Sequence, residues 1–364
     1  RRFWGLPLPF YPCACGHLTV AGSRAELARL AVSGMDGVKE LHRPWIDAVK
    51  IRCPKCKKPV SRIEAVGDCW LDAGIIPFST LDYLGDRAHW EKWFPAEMVC
   101  EMREQIRLWF YAVLFMGVAL EGRSPYKAVL TYEKVHDEKG EPMHKSKGNA
   151  IWFDEAAEKM GADVMRWLYA AHPVTTNLSF GYGPASEVKR RLLTLWNVAS
   201  FFSTYAALDR PEIRPEADLS DRPPLDRWIA ARTERFLRDA DAAYQAYDAA
   251  AAVTSFGRWL DELSTWYVRR SRRRFWKGGD SRDSARAYQT LWEALAVGIK
   301  VMAPVLPFTA EALYQDLLRP VDPSAPASVH LCDFPAPSDL RLDAELLTDI
   351  ETVQKVVEMG RAAR

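Results

Sequence analysis

Five groups of residues carry chemistry by their types and spacing. Between positions 132 and 153, His144, Lys145, Ser146 and Lys147 follow a charged turn centred on Gly140 and precede Gly148-Asn149. Two lysines acting as point charges, with two further hydrogen-bond donors, suit a polyphosphate whose negative charge grows as it leaves. The same Lys/Gly/Asn composition also suits a solvated surface turn. Cys13 and Cys15, then Cys53 and Cys56, form two close pairs, and outside a secreted chain such pairs favour a metal over disulfides. A four-cysteine zinc knuckle is expected, because Zn2+ takes four thiolates tetrahedrally and stabilises a module too small for a core of its own; plain buried thiols are the alternative, and His17 and His42 are possible substitute ligands. Asp72, in Trp70-Leu71-Asp72 before Ala73-Gly74, either faces a cleft or caps a helix. Glu101, Glu104 and Gln105 stand where a short apolar strand gives way to a helix, the place where ligands bind in open α/β sheets.

The fifth group is WYVRRSRRRFW at 266–276. Arg269, Arg270, Arg272, Arg273 and Arg274 offer phosphate contacts, and the interleaved Trp266, Tyr267, Phe275 and Trp276 offer flat surfaces on which an unstacked base could rest. A basic solvated face over an aromatic core is the other reading, since on a helix these residues spread around much of the circumference.

The elements that must position these groups follow from pattern. The 364 residues are 48% hydrophobic and 27% charged, an ordinary globular composition with length for two or three domains. Net charge is only +1, so local clusters must carry any nucleic-acid binding. The longest apolar run, 109–120, falls short of the roughly 20 residues that span a bilayer and predicts a buried helix; no membrane partner is expected. A strand at 98–100 leads into a helix from Arg103, and a second strand at 128–131 runs into the lysine loop. Asp154 is expected to cap the next helix, Gly161 to stop it and Asp163 to start another. Beyond Gly183 the helical period takes over, through Val188, Leu192, Leu195, Ala199, Phe202 and Ala206 and again through Phe256, Leu260, Leu263 and Tyr267. Proline-rich breaks at 211–224 and 304–307 make 188–318 an antiparallel bundle.

The stretch DEKGEPMHKSKGN resembles the Lys-Met-Ser-Lys-Ser loop of class I aminoacyl-tRNA synthetases. Pro142, Met143, His144, Lys145 and Ser146 take the motif positions, with Pro142 and His144 in place of a lysine and a serine. GDCWLDAGIIPFS resembles the Trp-Phe-Asp-Ser-Gly element of the isoleucyl and related synthetases, and the arginine-rich run is similar to the anticodon-binding bundle of the isoleucyl group. RRFWGLPLP, LHRPWIDAV, LDRWIAAR, APVLPFTAEALYQDL and SVHLCDFP resemble that group in its own order, so nearly the whole chain is covered. Valyl- and leucyl-tRNA synthetases share the architecture.

The resemblance implies an α/β fold, the second half of a Rossmann-type catalytic domain with a small Cys-rich module, followed by an all-α helical bundle. It divides the chain into a re-entry strand and zinc-knuckle-like module at 1–66, the catalytic half at 67–150, a stem-contact region at 151–187, the anticodon-binding domain at 188–330 and a linker at 331–364. It implies ATP with Mg2+, isoleucine and tRNA(Ile) as substrates. Lys145, with His144 and Ser146, would stabilise departing pyrophosphate, and Glu101 would hold the adenylate. Glu104, Gln105, Lys147 and Asp72 would complete the nucleotide site, although Met102 stands where many members have glycine. Trp266, the five arginines and Trp276 would grip the anticodon arm. No His-x-Gly-His element occurs among the seven histidines, and RRFWG is where the family's chain leaves its editing domain. The expectation is therefore an internal piece of a larger cytoplasmic, monomeric enzyme, inactive without its N-terminal catalytic and editing portion. A non-catalytic tRNA-binding module is the competing class of function.

Overall fold

The computed structural model describes residues 5–214, 221–276, 281–338 and 341–363. The opening four residues, and positions 215–220 of the first proline-rich break, lie outside them. Two compact units emerge, Arg1–Tyr132 and Glu133–Arg364.

The first unit begins with an antiparallel hairpin, β1 (Phe10–Pro12) against β2 (Leu18–Val20). Helix α1 (Arg24–Leu30) starts where the Ser23 hydroxyl accepts from Glu26 N at 3.1 Å, the usual way a helix satisfies its first free N–H groups. An antiparallel sheet follows, ordered β3 (Ala31–Ser33), β4 (Lys50–Arg52), β5 (Pro59–Ser61). Tyr11, Leu27, Ile46, Val49, Ile51 and Val60 form its small core. Arg62 is buried against that core, its guanidinium bonded to Asp47 and to the carbonyls of Leu8 and Ala65.

Short helices α2 (Cys69–Gly74), α3 (Ile76–Ser79) and α4 (Arg87–Trp93) come next. Strands β6 (Ala96–Met102) and β7 (Tyr126–Tyr132) then pair in parallel, joined through α5 (Trp109–Glu121). A parallel pair needs such a crossover. Helix α5 packs on α2 closely enough that a Cβ at Gly74 would stand 2.7 Å from the Ala112 carbonyl oxygen. The helix expected from Arg103 begins as a 3-10 turn, Arg103–Arg107, and becomes α-helical only at Trp109, where the Gln105 side chain accepts from the Trp109 N–H at 3.0 Å.

The second unit opens with β8 (Val135–His136), parallel to β9 (Leu178–Ser179), with α6 (Phe153–Met160) and α7 (Ala162–Ala171) between them. Gly161 stops α6 as expected, at φ 92. Asp154, however, lies within the first turn of α6, and Trp152 occupies the cap position with no side-chain bond. Asp163 sits in the first turn of α7 but caps another helix: its carboxylate accepts from Phe308 N and Thr309 N, the latter at 2.6 Å. That helix, α13 (Pro307–Leu313), follows Leu306, which has no side-chain oxygen to do the job.

The bundle consists of α8 (Tyr182–Asp209), α9 (Pro224–Gln245), α10 (Ala249–Glu262), α11 (Arg269–Trp276), α12 (Ser281–Met302), α13 and α14 (Ala344–Ala362). Two π-helical stretches, Leu263–Val268 and Tyr314–Leu318, continue α10 and α13. Val188, Leu195, Ala199, Phe202, Phe256, Leu260, Leu263 and Tyr267 are all buried in one core, with Leu192 and Ala206 packed half-buried against it. The α/β part followed by a helical bundle agrees with the expectation from sequence.

Candidate functional site

The lysine loop is folded by side chains at its base. Asp137 accepts from the N–H groups of Lys139 and Glu141, each at 2.9 Å, which closes a turn around Gly140 at φ 80. Asn149 fastens the other arm: its Nδ2 donates to Asp137 at 2.9 Å and to the Pro142 carbonyl at 3.1 Å, and its Oδ1 accepts from His144 N at 2.9 Å. The Asn149 amide, then the Glu141 and Lys139 N–H groups, hold the Asp137 carboxyl below the usual carboxylate range. A 3-10 turn, Lys145–Lys147, ends at Gly148, whose φ of 70 reverses the chain. His144, Lys145, Ser146 and Lys147 are all exposed, while Met143 packs against the core. The Lys145 Nζ lies 4.5 Å from the centroid of the Trp152 ring. Glu138 reaches to the start of α8, accepting from Gly183 N at 2.8 Å.

In the first unit, Glu101 stands one residue before the end of β6 and accepts from Tyr132 Oη at 3.4 Å. Glu104 and Gln105 occupy the 3-10 turn that follows, with Gln105 engaged at the start of α5. Asp72 is exposed in the first turn of α2, and the capping role that it could have had belongs to Asp68, which accepts from Trp70 N at 2.9 Å.

The four paired cysteines converge. Cys13 and Cys15 lie at the turn of the β1–β2 hairpin, Cys53 and Cys56 at that of β4–β5. Their four Sγ atoms all lie within 4.8 Å of one another, with Cys13 to Cys56 at 3.4 Å and Cys15 to Cys53 at 3.8 Å. Tetrahedral Zn–S bonds of about 2.3 Å place sulfurs about 3.8 Å apart, so the donor set and its size fit zinc. Gly16 and Lys57, each directly after the second cysteine of its pair, both take left-handed backbone, φ 83 and 62. Without a metal the cluster shares its protons unevenly: the Cys56 and Lys55 N–H groups lower the Cys53 thiol, while the hydrogen bond with Cys56 helps raise that of Cys13.

Helix α11 divides the run between surface and core. Arg269, Arg270, Arg272 and Arg273 are exposed, and Trp276 is 55% exposed, with the Arg272 Cζ 6.0 Å above its ring. Trp266 is half-buried beneath the Arg270 guanidinium, 3.6 Å away. Burial, then the positive charges of Arg361 and Arg269, lowers the Arg270 pKa. Phe275 faces inward, 5.1 Å from Phe201 of α8 and 4.8 Å from Tyr288. Arg274 also faces inward. Its guanidinium grips Asp226 at 2.6 and 2.8 Å and Asp283 at 2.8 Å. It is therefore held as a bundle tie, and the other four arginines of the run are exposed. Loss of each phosphate-contacting arginine among those four is expected to flatten the salt dependence of RNA binding by roughly 0.7 to 0.9 log unit per log unit of salt. Trp276→Ala is expected to cost about 1 to 3 kcal/mol of binding at unchanged slope. Titrations over a salt series with tRNA(Ile) and an anticodon-swapped tRNA(Ile) measure both effects; equal affinity for the two RNAs would leave the face nonspecific.

Comparison with known proteins places these features in one family. The description "tRNA synthetases class I (I, L, M and V)" matches residues 1–181, and "Anticodon-binding domain of tRNA ligase" matches residues 226–364. The isoleucine–tRNA ligase of Thermus thermophilus is 39% identical over 369 residues, covering all of this chain. The chain belongs to the class I aminoacyl-tRNA synthetases. The isoleucine–tRNA ligases of Deinococcus radiodurans, 39% identical, and Dehalococcoides mccartyi, 38% identical, also match it from end to end. The chain spans 34 to 37% of the length of these three relatives. Among solved structures, the agnB2 LeuRS of Agrobacterium radiobacter K84, in a ternary complex with tRNA and LeuAMS, aligns at a TM-score of 0.71, with 16% identity over 94% of this chain and 42% of that one. Methionyl-tRNA synthetase from Mycobacterium tuberculosis, with methionyl-adenylate, aligns at 0.58, with 19% identity over 80% of this chain and 58% of that one. Both show the synthetase fold.

Within this synthetase chain, sequence reasoning passed over Asp137, Asn149, Asp226 and Asp283. The first two had a signal, an acidic residue three positions before Gly140 and an asparagine directly after Gly148. The last two had none, because their partner is remote in sequence.

Proposed function

We propose that this chain is the part of an isoleucine–tRNA ligase that carries the pyrophosphate-binding loop, a zinc-stabilised module and the anticodon-binding bundle. End-to-end similarity to isoleucine–tRNA ligases, at 35 to 39% identity, carries the reading.

In the whole enzyme the isoleucine carboxylate attacks the α-phosphate of ATP. The bond to the β-phosphate oxygen breaks, and pyrophosphate leaves. A ribose hydroxyl at the tRNA 3′ end then attacks the acyl carbon and releases AMP. Little acid/base chemistry is needed in the first step, so positioning and charge dominate. Lys145, with Lys147 beside it, offsets charge on the departing pyrophosphate, and His144 and Ser146 donate hydrogen bonds. ATP enters with Mg2+, whose charge offsets that of the phosphates. Glu101 holds the adenylate, with Glu104, Gln105 and Asp72 around the nucleotide. Cys13, Cys15, Cys53 and Cys56 would hold Zn2+, which supplies a cross-link between two hairpins. Trp266, Trp276 and the outward arginines hold the anticodon arm of tRNA(Ile).

The partners are thus isoleucine, ATP, tRNA(Ile) and the N-terminal catalytic and editing portion of the same enzyme, acting in the cytoplasm as a monomer. Among the described residues no helix is long and apolar enough to cross a membrane. Amino-acid-dependent exchange of pyrophosphate into ATP tests the reading. This chain alone is expected to give none, and supplying the remaining catalytic portion should give exchange that prefers isoleucine over valine and leucine. Preference for valine or leucine would overturn the specificity. No exchange in either case, with tRNA still bound, would favour a non-catalytic tRNA-binding module.

A further inference from the structure

The Lys145 ammonium stands 4.5 Å from the Trp152 ring centroid, well inside the range of about 6 Å over which a ring face attracts a cation. No carboxylate of the described residues pairs with this lysine. The indole is 58% exposed, so its flat face lies mainly in solvent. It sits at the cap position of α6, where it makes no capping bond. The two residues are joined by a folded connection: the 3-10 turn, the reversal at Gly148, the Asn149 bonds and Ile151, which packs on the core. The ring thus belongs to the fixed base of the loop and the lysine to its exposed crest.

We propose that Trp152 is a positioning residue for Lys145, a resting place that holds the ammonium while the loop is empty and gives it up when a polyphosphate binds. This inference rests on the reading of Lys145 as a pyrophosphate ligand. An ammonium has three N–H donors. Seated on a ring face, it cannot aim them all at phosphate oxygens, so ring and ligand compete. A cation over an exposed ring is worth a factor of about two to five in an equilibrium constant. Trp152 therefore weakens ground-state binding of the polyphosphate by that factor, and its emission reports whether the lysine is seated.

The test uses the 364-residue chain with inorganic pyrophosphate as the probe and Trp152→Leu, Trp152→Phe and Lys145→Met as variants. Emission from Trp152 is taken as the difference between the chain and its Trp152→Phe variant. Lys145→Met is expected to change that emission without ligand, and saturating pyrophosphate to change it in the same direction when Lys145 is present. Trp152→Leu should bind pyrophosphate about two- to fivefold more tightly, with Trp152→Phe between it and the unaltered chain. A role confined to packing predicts no gain in affinity and no graded order. Unchanged emission in Lys145→Met, or unchanged affinity in Trp152→Leu, overturns this inference alone. Failure of every form of the chain to bind pyrophosphate overturns the reading of the loop, and this inference with it.

Discussion

Cys53→Ser is expected to release the metal and unfold the module from β1 to β5 while the helical bundle stays intact. The module's buried apolar core is small, comprising Tyr11, Ala21, Leu27, Val38, Ile46, Val49, Ile51, Cys53 and Val60. Its strands are only three residues each, and pairs so short gain little from their own ladders. What ties the β1–β2 hairpin to the β4–β5 hairpin at their tips is the cluster of four sulfurs. Structural zinc in small modules contributes about 10 to 16 kcal/mol of apparent binding free energy, which is also folding free energy. Removing one of four thiolates should take most of that away. Elemental analysis should show about one zinc per unaltered chain and well below that in Cys53→Ser. Amide hydrogen exchange over 49–61 should lose its protection, with that of α9, α10 and α12 retained. An unaltered chain that binds no zinc, yet keeps the same protection, would sink the prediction.

Arg274→Met should destabilise the second unit by about 3 to 5 kcal/mol, the usual cost of removing one partner from a buried ion pair. Asp226 is 0% exposed, and without Arg274 its carboxylate keeps, among the described residues, only the Tyr267 hydroxyl, at 3.0 Å. Burial, then the Asp226 charge, raises the pKa of that hydroxyl well above its ordinary value, so Tyr267 stays a donor but supplies no positive charge. The thermal midpoint should fall on the order of 10 °C for a unit of this size. Arg273→Met, an exposed neighbour in the same run, should change stability by no more than about 0.5 kcal/mol. Thermal and urea unfolding of the two variants measure the contrast. Arg274 would instead be a phosphate ligand in solution if Arg274→Met unfolded like Arg273→Met and flattened the salt dependence of RNA binding.

These two sites differ in how far sequence could reach them. The convergence of the cysteines was legible because both pairs are local and their spacing is a ligand pattern. What spacing hid is how a Cys-x-Cys pair matches a Cys-x-x-Cys pair, since left-handed backbone at Lys57 is an uncommon conformation for a lysine that Gly16 adopts freely. The bundle was legible from its period, yet the π-helical turn at Leu263–Val268 was not, because Phe256, Leu260, Leu263 and Tyr267 are spaced as in an unbroken α-helix. Arg274 looked like its neighbours by type. Only Asp226, 48 residues earlier, and Asp283 separate it from them, and no periodicity links α9 to α11. Asp163 was read as a helix start and does stand in the first turn of α7, but spacing could not show that its carboxylate also serves α13, about 145 residues away. In the loop, the residue types suggested a chemistry, but neither the bonds of Asn149 nor the contact of Lys145 with Trp152 follows from spacing.

Helix α8 fixes a distance. Its start is held by Glu138 from the base of the lysine loop, and Phe201 further along meets Phe275 on the arginine helix. At 1.5 Å per residue, the stretch from Gly183 to Phe201 spans about 27 Å. Inserting one residue between Gly183 and Phe201 would advance everything beyond it by about 1.5 Å and turn it by about 100°. Phe201 would then face away from Phe275. Changes of length that preserve phase come in steps of about seven residues, two full turns. The helix thus acts as a gauge block, and the span between loop base and arginine helix is quantised, set by a residue count that small insertions cannot adjust gradually.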